Sequence, residues 1–279
     1  MPPRGLRARP PLVPGRQAPR LPRETAPIMH RLVPLLLLAE PVAAGIYRNS
    51  TPVFTYGEKD AHGARHDCYR GPAILQLKSG ALLAFASAGQ ATDCDGGNVS
   101  IVARKSTSGG HTWGPIETVA FVEGEALVNT SPLVSSDSTV HIMTSLNNND
   151  ALYLRSTDEG ESWSRPVNLT QQIEPRRVHG TPSTGGSWYA PGPSGGIETR
   201  GGALLTAVRG PFGNGSSQEY MAAVFSKDKG QSWKVGPPMP SAGAEEPSVT
   251  NLPDGSVAAL SRAGGGIFGL DFTRDNGES

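Results

Sequence analysis

One eight-residue pattern returns along this chain and limits what it can fold into. Ser106-Thr-Ser-Gly-Gly110-His-Thr112-Trp113, Ser156-Thr-Asp158-Glu-Gly160-Glu-Ser162-Trp163 and Ser226-Lys-Asp228-Lys-Gly230-Gln-Ser232-Trp233 share the form Ser-x-Asp-x-Gly-x-Ser/Thr-Trp, with Ser108 in the Asp position of the first. A further copy begins at Thr273-Arg-Asp275-Asn-Gly277-Glu-Ser279. This chemistry suits a hairpin turn. Asp and Ser side chains hydrogen-bond nearby amides, Gly accepts positive φ, and Trp folds back as an apolar plug beneath the turn. The residues that precede the complete copies, 99–103, 151–154 and 220–225, are apolar or alternating and read as strands.

The copies start at 106, 156, 226 and 273, so they recur 50, 70 and 47 residues apart. That spacing suits a unit of about four strands with variable loops, which is a propeller blade. Composition agrees: 35 glycines and 25 prolines lie scattered between short apolar runs, a pattern of many tight turns and few long helices. The expected class is all-β.

The repeat is the Asp box of sialidases, and from about Cys68 onward the chain resembles that family. The resemblance implies a six-bladed β-propeller, of which about four blades are present. It also implies an exo-alpha-sialidase, a retaining glycoside hydrolase that removes terminal sialic acid from glycoproteins, oligosaccharides or gangliosides. Asp boxes by themselves also serve propellers that bind acidic glycans without hydrolysis, and propellers used for protein interaction.

Three segments carry the resemblance into chemistry. Cys68-Tyr69-Arg70-Gly71-Pro72 is similar to the Tyr-Arg-Ile-Pro segment whose arginine clamps the sialic acid carboxylate, which makes Arg70 a candidate. A planar guanidinium offers a carboxylate two parallel charge-assisted hydrogen bonds. Cys94-Asp95-Gly-Gly-Asn98 resembles the loop whose aspartate stands eleven residues before the box serine. Asp95 keeps that distance from Ser106 and would be the general acid, with Asp93 as its rival. Glu246-Pro-Ser-Val-Thr-Asn-Leu-Pro-Asp254-Gly255 leads to Arg262, with a glutamate eight residues before the Asp-Gly turn and an arginine eight residues after it.

By the same resemblance, Glu246, with Glu245 as the rival beside it, takes a proton from a tyrosine nucleophile. Arg262 is the second clamp arginine. A neutral tyrosine avoids repulsion with the carboxylate already on the anomeric carbon. Trp188-Tyr189-Ala-Pro-Gly192 resembles a pocket-lining segment, where Tyr189 would contact the sugar ring or its N-acyl group, the alternative being a tyrosine of the propeller core.

The chain departs from the pattern in three places. Gly71 replaces the isoleucine, which would remove a core side chain beside Arg70. Ala84-Phe85-Ala86-Ser87-Ala88-Gly89 stands where relatives read Ala-Phe-Ala-Glu-x-Arg, so a charged pair is missing. In relatives the third clamp arginine and the nucleophilic tyrosine follow the fourth box, whereas the sequence stops within it at Ser279. The expectation is an incomplete wheel, from a reading frame cut short or a product inactive by itself.

Residues 1–28 are rich in Pro and Arg and read as a disordered leader. From Met29, a short basic region, the apolar run 32–39 and the small residues 42–44 read as a signal peptide spanning 29–44, which leaves 45–279 for the propeller. The expected destination is the secretory pathway, secreted or lysosomal, with an Arg-rich organelle transit peptide as the alternative. Sequons starting at Asn49, Asn98, Asn129, Asn168 and Asn214 are compatible with secretion. In an oxidising compartment Cys68 and Cys94 would form one disulfide, and otherwise they are two free thiols. Joined, they would tie the Arg70 segment to the Asp95 loop.

The 25 basic side chains equal the 25 acidic ones, so no overall positive field attracts nucleic acid and a neutral or small polar ligand is expected; the resemblance implies that this partner is a sialylated glycan. The run 32–39 is too short to span a bilayer. No cofactor and no metal are expected, since the six histidines form no ligand set, and His62 and His66 read as part of a solvated loop.

Overall fold

The computed structural model describes residues 50–90, 94, 96–173, 189–210, 220–239, 244–263, 267–275 and 278. The chain divides into two units, Met1–Arg48 and Asn49–Ser279, and every described residue belongs to the second. The expected leader and signal segment therefore lie outside the described residues.

The fold is all-β and built of four successive blades. A hairpin of β1 (Glu58–Lys59) and β2 (Arg65–His66) leads into the first blade, the antiparallel sheet β3 (Cys68–Gln76), β4 (Leu82–Gly89), β5 (Val99–Ser106) and β6 (Glu117–Ala120). The second blade is β7 (Leu127–Val134), β8 (Val140–Leu146), β9 (Asp150–Ser156) and β10 (Val167–Asn168), followed by the single turn α1 (Thr170–Ile173). In the third, the innermost strand is split into β11 (Ala190–Pro191) and β12 (Ile197–Glu198), both paired with β13 (Leu204–Gly210), and the sheet continues through β14 (Tyr220–Ser226) and β15 (Lys234–Pro238). The fourth contains β16 (Ala244–Asn251), β17 (Val257–Ala263) and β18 (Ile267–Thr273). The runs read as strands from sequence became β5, β9 and β14.

Apolar clusters lie between the blades. Leu83, Phe85 and Ile101 of the first blade meet Ile142, Leu152 and Leu154 of the second. Met143 and Tyr153, which point the other way from the second blade, meet Leu204, Val208 and Val224 of the third. Sheets stacked in this way are buried on both faces. That is why β4 reads as a continuous small and apolar run and not as an alternation.

Each repeat forms the turn that leaves the third strand of its blade. The Ser106, Ser156 and Ser226 hydroxyls accept the amides of Gly110, Gly160 and Gly230 at 3.0, 2.8 and 2.8 Å. Asp158 and Asp228 accept the amides of Ser162 and Ser232 at 2.9 and 2.8 Å, and in the first copy the Ser108 hydroxyl accepts Thr112 N in their place at 2.8 Å. Hydrogen bonds from the Ser162 and Ser156 hydroxyls and the Ser162 amide hold the Asp158 carboxyl down at about 2.

The tryptophans go further than a plug beneath their own turn. Trp163 meets Phe85 of the preceding blade edge-on, with ring centroids 5.9 Å apart, and Trp233 lies 5.3 Å from Tyr153 of its own preceding blade. The box is thus a clasp between blades as well as a turn within one.

Candidate functional site

The site grows from an irregularity repeated on the innermost strands. The register of β3 against β4 shifts between Arg70 and Ala73, that of β7 against β8 between Val128 and Ser131, and that of β16 against β17 between Glu245 and Ser248. Each bulge inserts one extra residue, and the residue after its first member has positive φ in all three: Gly71 at 55°, Asn129 at 57° and Glu246 at 48°. On the split inner strand of the third blade, the corresponding stretch is Ala190 and Pro191. It continues into Gly192, where a Cβ would fall 1.7 Å from the carbonyl oxygen of Pro247.

These positions converge. A cavity of about 370 Å³ is bordered by Arg70 of the first blade, Asn129 and Asn148 of the second, Ala190, Pro191 and Arg209 of the third, and Glu245, Glu246 and Arg262 of the fourth. Bulges re-aim side chains, and here they turn one position of each inner strand toward a common space.

The charges in the cavity are linked. Glu245 Oε1 pairs with Arg209 Nη2 at 3.2 Å, while its other oxygen pairs with Arg262 Nη2. Arg262 Nε donates to Glu246 Oε2 at 3.1 Å. Asn129 Nδ2 donates to Asn148 Oδ1 at 2.9 Å, which fixes the amide side of the wall. Glutamate at positive φ is strained, by about 1 kcal/mol or more, and strain of this kind gathers at sites that bind or react. Among the described residues no cluster of three His, Cys, Asp or Glu side chains is arranged to hold a metal ion.

The candidates read from sequence divide into three groups. Arg70, Glu246 and Arg262 line one cavity although 192 positions separate the first from the last, and Glu245, the rival of Glu246, lines it too. Asp95 and Asp93 lie outside the described residues. The expected sugar contact from Tyr189 is corrected: its ring sits in the core between the second and third blades, and its hydroxyl donates to Met143 Sδ at 2.9 Å. Burial raises that hydroxyl well above the usual tyrosine range. Apolar neighbours on both sides hold the ring inward, leaving Ala190 and Pro191 to face the cavity.

Cys68 and Cys94 are joined in a disulfide, which ties the start of β3 to the loop that carries Asp95. Gly71 is not a lost core side chain but the left-handed position of a bulge, where β-branched isoleucine would be strained. His66 is not solvated: it is buried, with Nε2 3.4 Å from Asp60 Oδ2. Arg209 was missed. It stands in an ordinary strand sequence, Ala207-Val208-Arg209-Gly210, and its only signal was a charge at the end of an apolar run.

Known proteins resemble this chain in sequence and in fold. A family model described as a BNR repeat-like domain matches residues 80–279. An exo-alpha-sialidase of Aspergillus fumigatus is 24% identical over 222 residues, which cover 66% of this chain and 53% of that protein. The chain spans about half the length of the curated relatives it matches. Among solved structures, the Hadza microbial sialidase Hz136 matches with a TM-score of 0.66 at 21% identity, over 77% of this chain and 46% of that one. Trypanosoma rangeli sialidase in complex with 2,3-difluorosialic acid, a covalent intermediate, matches with a TM-score of 0.64 at 17% identity, over 81% of this chain and 41% of that one. These structural likenesses show the propeller fold.

Proposed function

Since the chain belongs to the BNR repeat-like family of sialidase-type propellers, we propose that its cavity receives the terminal sialic acid of glycoproteins, oligosaccharides or gangliosides, and that the protein acts as an exo-alpha-sialidase. One observation supports this above the others: Arg70 and Arg262, from strands far apart in sequence, border one cavity together with the strained Glu246.

In this reading the two guanidiniums grip the sugar carboxylate. Paired charge-assisted hydrogen bonds orient the anomeric carbon and offset the repulsion a nucleophile would meet. Asp95 protonates the departing glycosidic oxygen. Glu246 takes the proton of a tyrosine that attacks the anomeric carbon, giving a covalent intermediate that water then opens with retention. The Cys68–Cys94 disulfide holds the Arg70 strand and the Asp95 loop at a fixed separation, which is consistent with an oxidising, secretory destination. The test is release of fluorophore from a fluorogenic sialoside by the full-length protein. Turnover that falls at least about a hundredfold in Arg70→Ala is expected. No turnover by protein shown to be folded would overturn hydrolysis.

A second reading has its own support. Ser87 and Gly89 stand where the resemblance expects a charged pair, and neither residue carries a charge. A propeller that binds acidic glycans without cleaving them fits these facts. Saturable retention on a sialylated glycan array without loss of the terminal sugar would distinguish it.

A further inference from the structure

We infer that Arg209 is a third anion-binding side chain of this cavity, additional to the clamp that the resemblance implies; this rests on the reading that the cavity takes an acidic sugar. Arg209 lies on β13, the second strand of the third blade, and reaches the space bordered by Arg70 and Arg262. Its side chain is 14% exposed, against 55% for Arg262, so it lines the inner wall and not the rim.

Glu245 is the reason it stays there. One of its oxygens holds Arg209 at 3.2 Å and the other holds Arg262, so a single carboxylate fixes the separation of guanidiniums from two blades. A purely structural ion pair would need one arginine. This carboxylate holds two, both of which also face the cavity.

The donors in the wall point to the ligand. Among the described residues the cavity wall carries guanidiniums from three blades, those of Arg70, Arg209 and Arg262. Guanidiniums converging on one space suit a carboxylate, which accepts charge-assisted hydrogen bonds from more than one of them. The class of ligand that fits is a sugar bearing a carboxylate.

Titration calorimetry on the full-length protein tests this with three probes: N-acetylneuraminic acid, its methyl ester, and glucuronate. Arg209→Ala is expected to weaken binding of N-acetylneuraminic acid by about tenfold or more while changing methyl ester binding by less than about twofold. Arg209→Lys, which keeps the charge and loses the planar fork, should fall between Ala and wild type. Arg200→Ala, at an exposed arginine outside the cavity, should bind as wild type does.

Wild-type affinity in both Arg209 variants, with Arg70→Ala weakened, would overturn the role of Arg209 and leave the sialic acid reading standing. Binding of glucuronate alone would overturn the sialic acid reading, and Arg209 would stand if its variants weakened that binding. Failure of wild type to bind either carboxylate would overturn both. Where Arg209→Ala does not fold, as judged by its unfolding midpoint, Arg209→Lys decides.

Discussion

At the scale of single residues, the most informative feature is a backbone angle. Glu246 occupies the same bulge position as Gly71 and Asn129, residue types that tolerate positive φ, yet it is a glutamate at 48°. The fold bears this strain, and the carboxylate it places in the cavity is the evident return. Glu246→Gly should therefore raise stability by about 0.5–1 kcal/mol in urea unfolding while removing sialoside turnover. A destabilised Gly variant would show that the carboxylate is structural. Tyr189 presents the opposite case. Tyr189→Phe loses a buried hydrogen bond to Met143 and should cost about 1 kcal/mol with no change in sugar affinity; a change in affinity with unaltered stability would return the tyrosine to the site.

Between blades, the Asp box does more than its sequence suggests. Its turn chemistry was legible, because Ser, Asp and Gly at fixed offsets have few other uses, and so were the spacing and the blades. The clasp was not legible, because which neighbour a tryptophan touches depends on how blades stack and leaves no mark in the octapeptide. Gly230 shows the consequence. A Cβ there would lie 2.3 Å from the Tyr153 hydroxyl of the preceding blade, on a backbone at φ 83°, whereas at Gly110 the nearest atom would be 3.5 Å away. Gly230→Ala should cost about 2–4 kcal/mol by thermal or urea unfolding, and Gly110→Ala only the cost of φ, about 1 kcal/mol. Equal losses would remove the clasp from the account. Arg70, Glu246 and Arg262 could be read because each sits in a motif with fixed distances. Arg209 and the inner-strand bulges could not, because a one-residue register shift has no sequence signature beyond a scattered Gly, Asn or Pro.

Over the whole molecule, stability depends on groups buried where blades meet. His141 lies in the second blade with Nδ1 2.8 Å from the Tyr153 hydroxyl and Nε2 3.0 Å from the Ser135 hydroxyl. Burial lowers it to about 4, with a smaller raising effect from Asp137 and a smaller lowering one from Arg155. In the unfolded chain it titrates near about 6.5, so between those values the unfolded state binds the proton and the native state does not. Its contribution is complete above about pH 6.5 and is lost as pH falls toward about 4, on the order of 3 kcal/mol in all. His141→Gln should flatten that part of the stability profile, and an unchanged slope would assign the acid sensitivity elsewhere.

The fourth blade adds a surface to this picture. Phe268, Leu270 and Phe272 alternate along β18 and remain 54–67% exposed, on the sheet that corresponds to those clasped in the other blades. The blade count was readable from the repeats, but the alternation of these exposed side chains along β18 was not singled out.

The proposed function requires that two distant arginines, Arg70 and Arg262, hold one carboxylate in the cavity. A crystal structure of the protein with N-acetylneuraminic acid bound would decide it. The account predicts the sugar carboxylate within about 3.2 Å of the guanidiniums of both Arg70 and Arg262, with Glu246 facing the anomeric carbon. A sugar seated elsewhere on the propeller, or with its carboxylate turned to solvent, would contradict it.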